Sequence, residues 1–103
     1  MEDTRVTIIV EGTFQKGYEK HFTIYSEKIR DFLKQHNAIV VRRQLIKETL
    51  FGDDNPNLIM LIDFPNKHIA KGVFIGEEYN SIIPLRNKVF KTFKMYLAEL
   101  GDV

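Results

Sequence analysis

Residues 4–14 alternate, with apolar Val6, Ile8 and Val10 separated by Thr7, Ile9 and Glu11. A repeat of two is the period of a β-strand. After a short connection through Gly17, apolar side chains recur at Tyr18, Phe22, Tyr25, Ile29, Phe32 and Leu33. Those steps put them on one stripe of a helix, with Glu19, Lys20, Glu27, Lys28, Arg30, Asp31 and Lys34 on the other side. Asn37 is a natural stop, because Asn tolerates the left-handed backbone that ends helices. Residues 38–50, rich in Val, Ile and Thr, predict a second strand. The run Gly52-Asp53-Asp54-Asn55-Pro56-Asn57 predicts a loop. A third strand follows at residues 58–64, nearly continuous in apolar residues and closed by Pro65. A helical segment spans residues 66–74, Gly76 interrupts it, and a second runs from Glu77 to about Phe90. Pro84 lies inside this last segment and predicts a kink or a fresh first turn. Residues 92–100 alternate Phe93, Met95 and Leu97 with polar neighbours and form the final strand.

This order, β-α-β-β-α-β, is the ferredoxin-like arrangement of the α+β class. It predicts a single domain over residues 1–103, a four-stranded antiparallel sheet with helices on one face. Val6, Ile8, Val10, Leu58, Met60, Ile62 and Phe64, with Phe93, Met95 and Leu97, form the floor beneath the helix stripes. The opposite face then carries Thr7, Ile9, Glu11, Ile59, Leu61, Asp63, Lys94 and Tyr96. Either parity fits the second strand; the favoured one adds Val40, Arg42, Gln44 and Ile46 to that open face. Such a set is too apolar to face water and too charged for a plain core. It predicts contact with another protein surface. Glu11, Asp63, Arg42 and Lys94 would either form ion pairs at the rim of a dimer interface or line a polar cavity.

Composition narrows the chemistry. The chain of 103 residues has no Cys and no Trp, which removes disulfides, thiolate metal sites and Cys nucleophiles. A net charge of +1 gives no general case for nucleic acid or an anionic membrane. No apolar run approaches the roughly 20 residues that cross a bilayer. The start is acidic at Glu2 and Asp3 where a signal peptide needs bases, so a cytoplasmic location is expected. The three histidines, His21, His36 and His68, show no metal-ligand spacing. No phosphate-binding glycine loop and no Gly-x-Ser-x-Gly occurs. RNA-recognition domains share the strand order, but here the central strands carry no aromatic before Phe64, and Glu11 and Asp63 would repel phosphate.

A string in the second half is more specific. Phe64-Pro65, Ala70, Phe74, Gly76-Glu77-Glu78-Tyr79 and the run from Ile82 through Pro84-Leu85-Arg86 to Phe90 resemble the domain of unknown function 1330 family, of the dimeric α/β-barrel superfamily. Phe22, Tyr25 and Val41-Arg42 are compatible with its first half, so the resemblance covers about residues 4–97. Gly76 stands where that family usually has Ser, and Asn37-Ala38 replaces a glycine pair. The resemblance implies two ferredoxin-like subunits joined through their open sheet faces. It supplies architecture and no chemistry.

One constellation remains. Tyr79, Ile83, Arg86 and Phe90 share a helix face, and Arg is rarely buried without a partner. Arg86 would therefore either pair with an acid such as Glu78 or Asp63, or, with Tyr79, donate to an anionic or carbonyl oxygen of a small ligand. In the second case Asp63 or Glu11 would accept a proton as general base, with no cofactor and no metal. The expected function is a homodimer binding a small, partly apolar ligand in a cavity beside the sheet. The alternative is a non-catalytic structural dimer or accessory subunit.

Overall fold

A computed structural model describes residues 4–101, so the acidic start at Glu2 and Asp3 lies outside the described residues. The elements are β1 (Val6–Phe14), α1 (Glu19–Gln35), β2 (Ile39–Leu45), β3 (Leu58–Phe64), α2 (Lys67–Ile75), α3 (Glu77–Val89) and β4 (Phe90–Ala98). The sheet order is β2-β3-β1-β4, with every neighbouring pair antiparallel. This is the ferredoxin-like α+β fold, with its second helical region in two pieces.

The alternation in β1 and β3 becomes burial. Val6, Ile8, Val10, Leu58, Met60, Ile62 and Phe64 are buried, while their odd-numbered neighbours are half-buried. The α1 stripe packs onto them through Tyr25, Ile29, Phe32 and Leu33. Asn37 ends that helix as expected, with φ 59°. Its left-handed turn lets the amides of His36 and Ala38 donate to the Leu33 carbonyl at 3.1 and 3.0 Å.

At the start of α2 the Asn66 side chain accepts from the Ile69 amide at 2.9 Å, which caps the helix. Gly76, in extended backbone, separates α2 from α3. Glu77 and Glu78 then occupy the first turn of α3, where negative charge favours the helix. Pro84 neither ends nor restarts α3. The Pro removes the amide that would bond to the Asn80 carbonyl, but both residues are exposed and water can serve that oxygen.

β2 departs from the sequence pattern in two ways. It stops at Leu45, not Leu50, because β3 begins at Leu58 and offers no ladder beyond. Ile46 donates its amide to the Asn57 carbonyl at 2.8 Å, and the chain then leaves the sheet. Val41 is also an extra residue: Val40 pairs with Ile62 and Arg42 with Leu61. That bulge turns Val40 toward the helices, correcting its expected place on the open face. Arg42 and Gln44 do lie there, opposite Leu61 and Ile59, and Ile39 joins them opposite Asp63. Ile46 falls just past the strand.

β4 starts two residues earlier than the pattern suggests, at Phe90. Gln15 donates to the Val89 carbonyl at 2.8 Å, which holds the α3–β4 junction against the end of β1. Asn57 fastens the same corner: its amide donates to the Gly12 carbonyl and its side-chain oxygen accepts from the Phe14 amide, both at 2.8 Å. Gly12 is buried there for a steric reason. A Cβ at this position would come within 2.6–2.7 Å of the Phe90 ring. We predict that Gly12→Ala costs about 1–3 kcal/mol, as overpacking does. Phe90→Leu in the same chain should recover part of that loss in denaturant titrations, because it removes the ring that the new methyl meets.

Candidate functional site

Between the sheet and the helices, aromatic rings meet one another in two groups. Phe14 stacks on Tyr18 at 4.0 Å, meets Phe22 edge-on at 5.5 Å and lies 5.8 Å from Phe90. Phe90 meets Tyr25 at 5.6 Å and Phe93 at 5.2 Å. A second group joins Phe32, Phe64, Phe74 and Tyr79. Arg86 bridges the two.

Two helical turns separate Tyr79 from Arg86, so α3 places both over the same strip of sheet. Arg86 Nη1 donates to the Tyr79 hydroxyl at 3.0 Å. Its guanidinium lies 4.7 Å from the Phe93 ring centre and 5.8 Å from that of Tyr79. Nη2 reaches only Asn87 Oδ1, at 3.5 Å. Nε is enclosed and has no hydrogen-bond partner. Arg86 meets no carboxylate among the described residues. Glu78 faces His36 Nε2 at 3.2 Å instead. Guanidinium keeps its proton in proteins, so the charge at Arg86 persists, held by ring faces and one phenol oxygen.

Asp63 and Glu11 lie on the other side of the sheet. Asp63 accepts from Thr7 Oγ1 at 2.7 Å, and Glu11 stands opposite Lys94, whose Nζ is 3.7 Å from Asp54. Asp63, Thr7, Ile9 and Leu61 line an open-face hollow of about 340 Å³. The structure thus brings Tyr79 and Arg86 together and sets the sheet between them and both carboxylates.

On the helix side, a cleft of about 470 Å³ opens between the start of α1 and β2, lined by Phe14, Tyr18, Phe22 and Leu45 with Glu19, Thr23 and Arg43. Arg43 was not singled out in the sequence: the favoured parity turns it toward the helices, opposite Met60, but no spacing shows that it lands over the Phe22 ring. Tyr25 reads as core by its spacing, yet its hydroxyl interacts electrostatically with Tyr79, Arg86 and Arg43. Among the described residues no group of acids, His and Cys could hold a metal ion.

The sequence profile of the domain of unknown function family DUF1330 matches residues 6–99. The chain belongs to that family. None of the curated proteins matches it. Among solved structures, this DUF1330 chain is similar to a protein of unknown function from Rhodopseudomonas palustris, with TM-score 0.78, 9% identity, and 97% of this chain and 85% of that one covered. It is similar to a dimeric ferredoxin-like protein of unknown function from Bacteroides fragilis, with TM-score 0.67, 12% identity, and 94% and 97% covered. It is also similar to SnoaB, a cofactor-independent oxygenase from Streptomyces nogalater, with TM-score 0.64, 13% identity, and 97% and 96% covered. At these identities the likeness shows the shared fold.

Within this DUF1330 fold, burial raises the Tyr25 hydroxyl above its ordinary value of 10.0; Tyr79 adds to the effect, while Arg86 and Arg43 oppose it. The unfolded chain releases this proton near pH 10 and the folded chain retains it. Its contribution to stability is therefore complete below about pH 10 and is lost as the pH climbs through the raised folded value. We predict that wild-type stability falls faster than that of Tyr25→Phe between pH 9 and 11, by up to about 1.4 kcal/mol per pH unit. Denaturant titrations at several pH values read that difference directly.

Proposed function

We propose that this chain forms a homodimer through its open sheet face and binds a small, partly apolar molecule bearing an anionic or carbonyl oxygen, with no cofactor. The observation that carries the ligand is Arg86, a permanent cation set among aromatic rings with no carboxylate among the described residues. Nη2 is the side of the guanidinium a ligand would reach, since its bond to Asn87 is long and exposed. The surrounding rings would supply most of the affinity, at roughly 25 cal/mol per Å² of apolar area buried. SnoaB, similar in fold, is described as a cofactor-independent oxygenase, and this lends support to a ligand site that uses side chains alone.

The dimer rests on Ile9, Ile59, Leu61 and Tyr96, which face away from the helices beside Thr7, Glu11 and Asp63. The similar Bacteroides fragilis protein is described as dimeric, in line with this reading. In such a dimer Asp63 and Glu11 belong to the subunit interface, and a ligand on Arg86 would be out of their reach. The competing reading is a structural dimer in which Arg86 merely clamps Tyr79. It draws on Tyr79 being only 2% exposed, with its hydroxyl already engaged.

One experiment tests the dimer that both readings share, and a second separates the readings. Leu61→Arg puts a charge against an apolar surface and should shift sedimentation at micromolar concentration from dimer toward monomer. A wild type that sediments only as monomer overturns the assembly. In a thermal-shift screen against small carboxylates and ketones, a ligand at about 100 times its Kd should stabilise the wild type by about 2.7 kcal/mol. Arg86→Met should abolish that shift. An equal shift in both proteins would leave the clamp as the better account.

A further inference from the structure

The cleft between α1 and β2 is built from flat surfaces. Phe14 and Tyr18 lie parallel at 4.0 Å, and Phe22 stands edge-on to both. Leu45, 57% exposed, closes the β2 side. Over Phe22, at 4.9 Å from its ring centre, lies the guanidinium of Arg43. Its hydrogen bond is a long one, 3.4 Å to Ser26 Oγ, and no carboxylate among the described residues pairs with it. Glu19 lines the same cleft without forming an ion pair with Arg43. A concave, ring-walled space with a single unneutralised fork of N–H donors is complementary to one chemistry: a planar aromatic body ending in one acidic group.

We propose that this cleft binds a planar aromatic monoacid, its rings against Phe14, Tyr18 and Leu45 and its acid group on Arg43. The volume of about 470 Å³ accommodates a fused two-ring compound. Glu19 on the rim disfavours a second negative charge and selects a monoanion over a dianion such as a phosphate ester. An aliphatic acid would satisfy Arg43 and leave the ring walls poorly packed. A neutral aromatic would do the reverse. The proposal rests on the reading that this protein binds a small molecule, and it does not require Arg86 to hold that molecule.

The test uses 2-naphthoate as probe, with its own fluorescence anisotropy as readout, titrated with the full chain. Octanoate and 2-naphthamide serve as competitors. The wild type should bind 2-naphthoate at least tenfold more tightly than either competitor. Arg43→Gln should weaken it at least tenfold and Phe22→Leu several-fold, and amide shifts on adding probe should concentrate at residues 14–23 and 43–45. Arg43 is exposed, so its variant should keep the wild-type circular dichroism; in a variant that does not, the amide shifts of the wild type decide the location. Unchanged affinity in Arg43→Gln overturns the cleft, even where Arg86→Met abolishes binding and so upholds the Arg86 reading. If octanoate stabilises the wild type through Arg86 while 2-naphthoate does not bind, the aromatic class is wrong and the Arg86 reading survives. If Arg43→Gln abolishes binding and Arg86→Met leaves it unchanged, the cleft stands and Arg86 falls as the anchor. Absence of binding by every probe overturns the cleft proposal and the ligand reading together.

Discussion

The Phe90 ring lies directly on the backbone of Gly12, at a distance that leaves no space for a side chain. This close approach fixes where the Phe90 ring sits above the sheet. Phe90 is the last residue of the helical region's exit and the first of β4, and it touches Phe14, Tyr25 and Phe93 at once. Phe14 is a wall of the α1–β2 cleft, Tyr25 carries the displaced phenol, and Phe93 is the bed on which Arg86 rests. Interiors packed to crystal-like density transmit such a constraint with little loss. Both arginine-bearing regions on the helix side therefore take their geometry from one glycine.

Two arginines on the helix side stand apart from the acids. Several acids are engaged away from the two arginines: Glu78 with His36, Asp63 with Thr7, and Asp54 with Lys94; Glu19 lines the cleft but forms no ion pair with Arg43. Arg43 and Arg86 are left to aromatic rings and neutral oxygens. Guanidinium tolerates this better than ammonium would, because it is planar and more weakly hydrated. A lysine at either position would give up the stacking and hold its water. The fold thus keeps two cations beside apolar surface without the carboxylates that usually accompany them.

Much of the fold was legible because burial on one side of a sheet enforces alternation. Val6, Ile8 and Val10, the α1 stripe and the stop at Asn37 all read directly from spacing. The Tyr79–Arg86 pairing was legible too, since two helical turns separate them. Parity alone also placed Asp63 away from the helices, so a site joining it to Arg86 asked one cavity to pass through the sheet. What spacing does not carry is competition between partners. Glu78 is close in sequence to Tyr79, yet His36, from the far end of α1, takes it. The run Ile39-Val40-Val41 reads the same with or without an extra residue, so the bulge was invisible, and with it the inward turn of Val40. The end of β2 was set by where β3 begins, not by its own β-branched residues.

The bulge at Val41 means that β2 holds one residue more than its ladder uses. A chain shorter by that one residue would still present Ile39, Arg42 and Gln44 on one face and Val40, Arg43 and Leu45 on the other. Elsewhere in a two-sided sheet, a change of length by one reverses every side chain beyond it. At this edge, a single deletion is silent with respect to facing, and its effect falls on local twist and on where the guanidinium is aimed. Loss of a residue, as well as substitution, is therefore an open route by which the mouth of the cleft can be reshaped while the sheet beneath it stays in register.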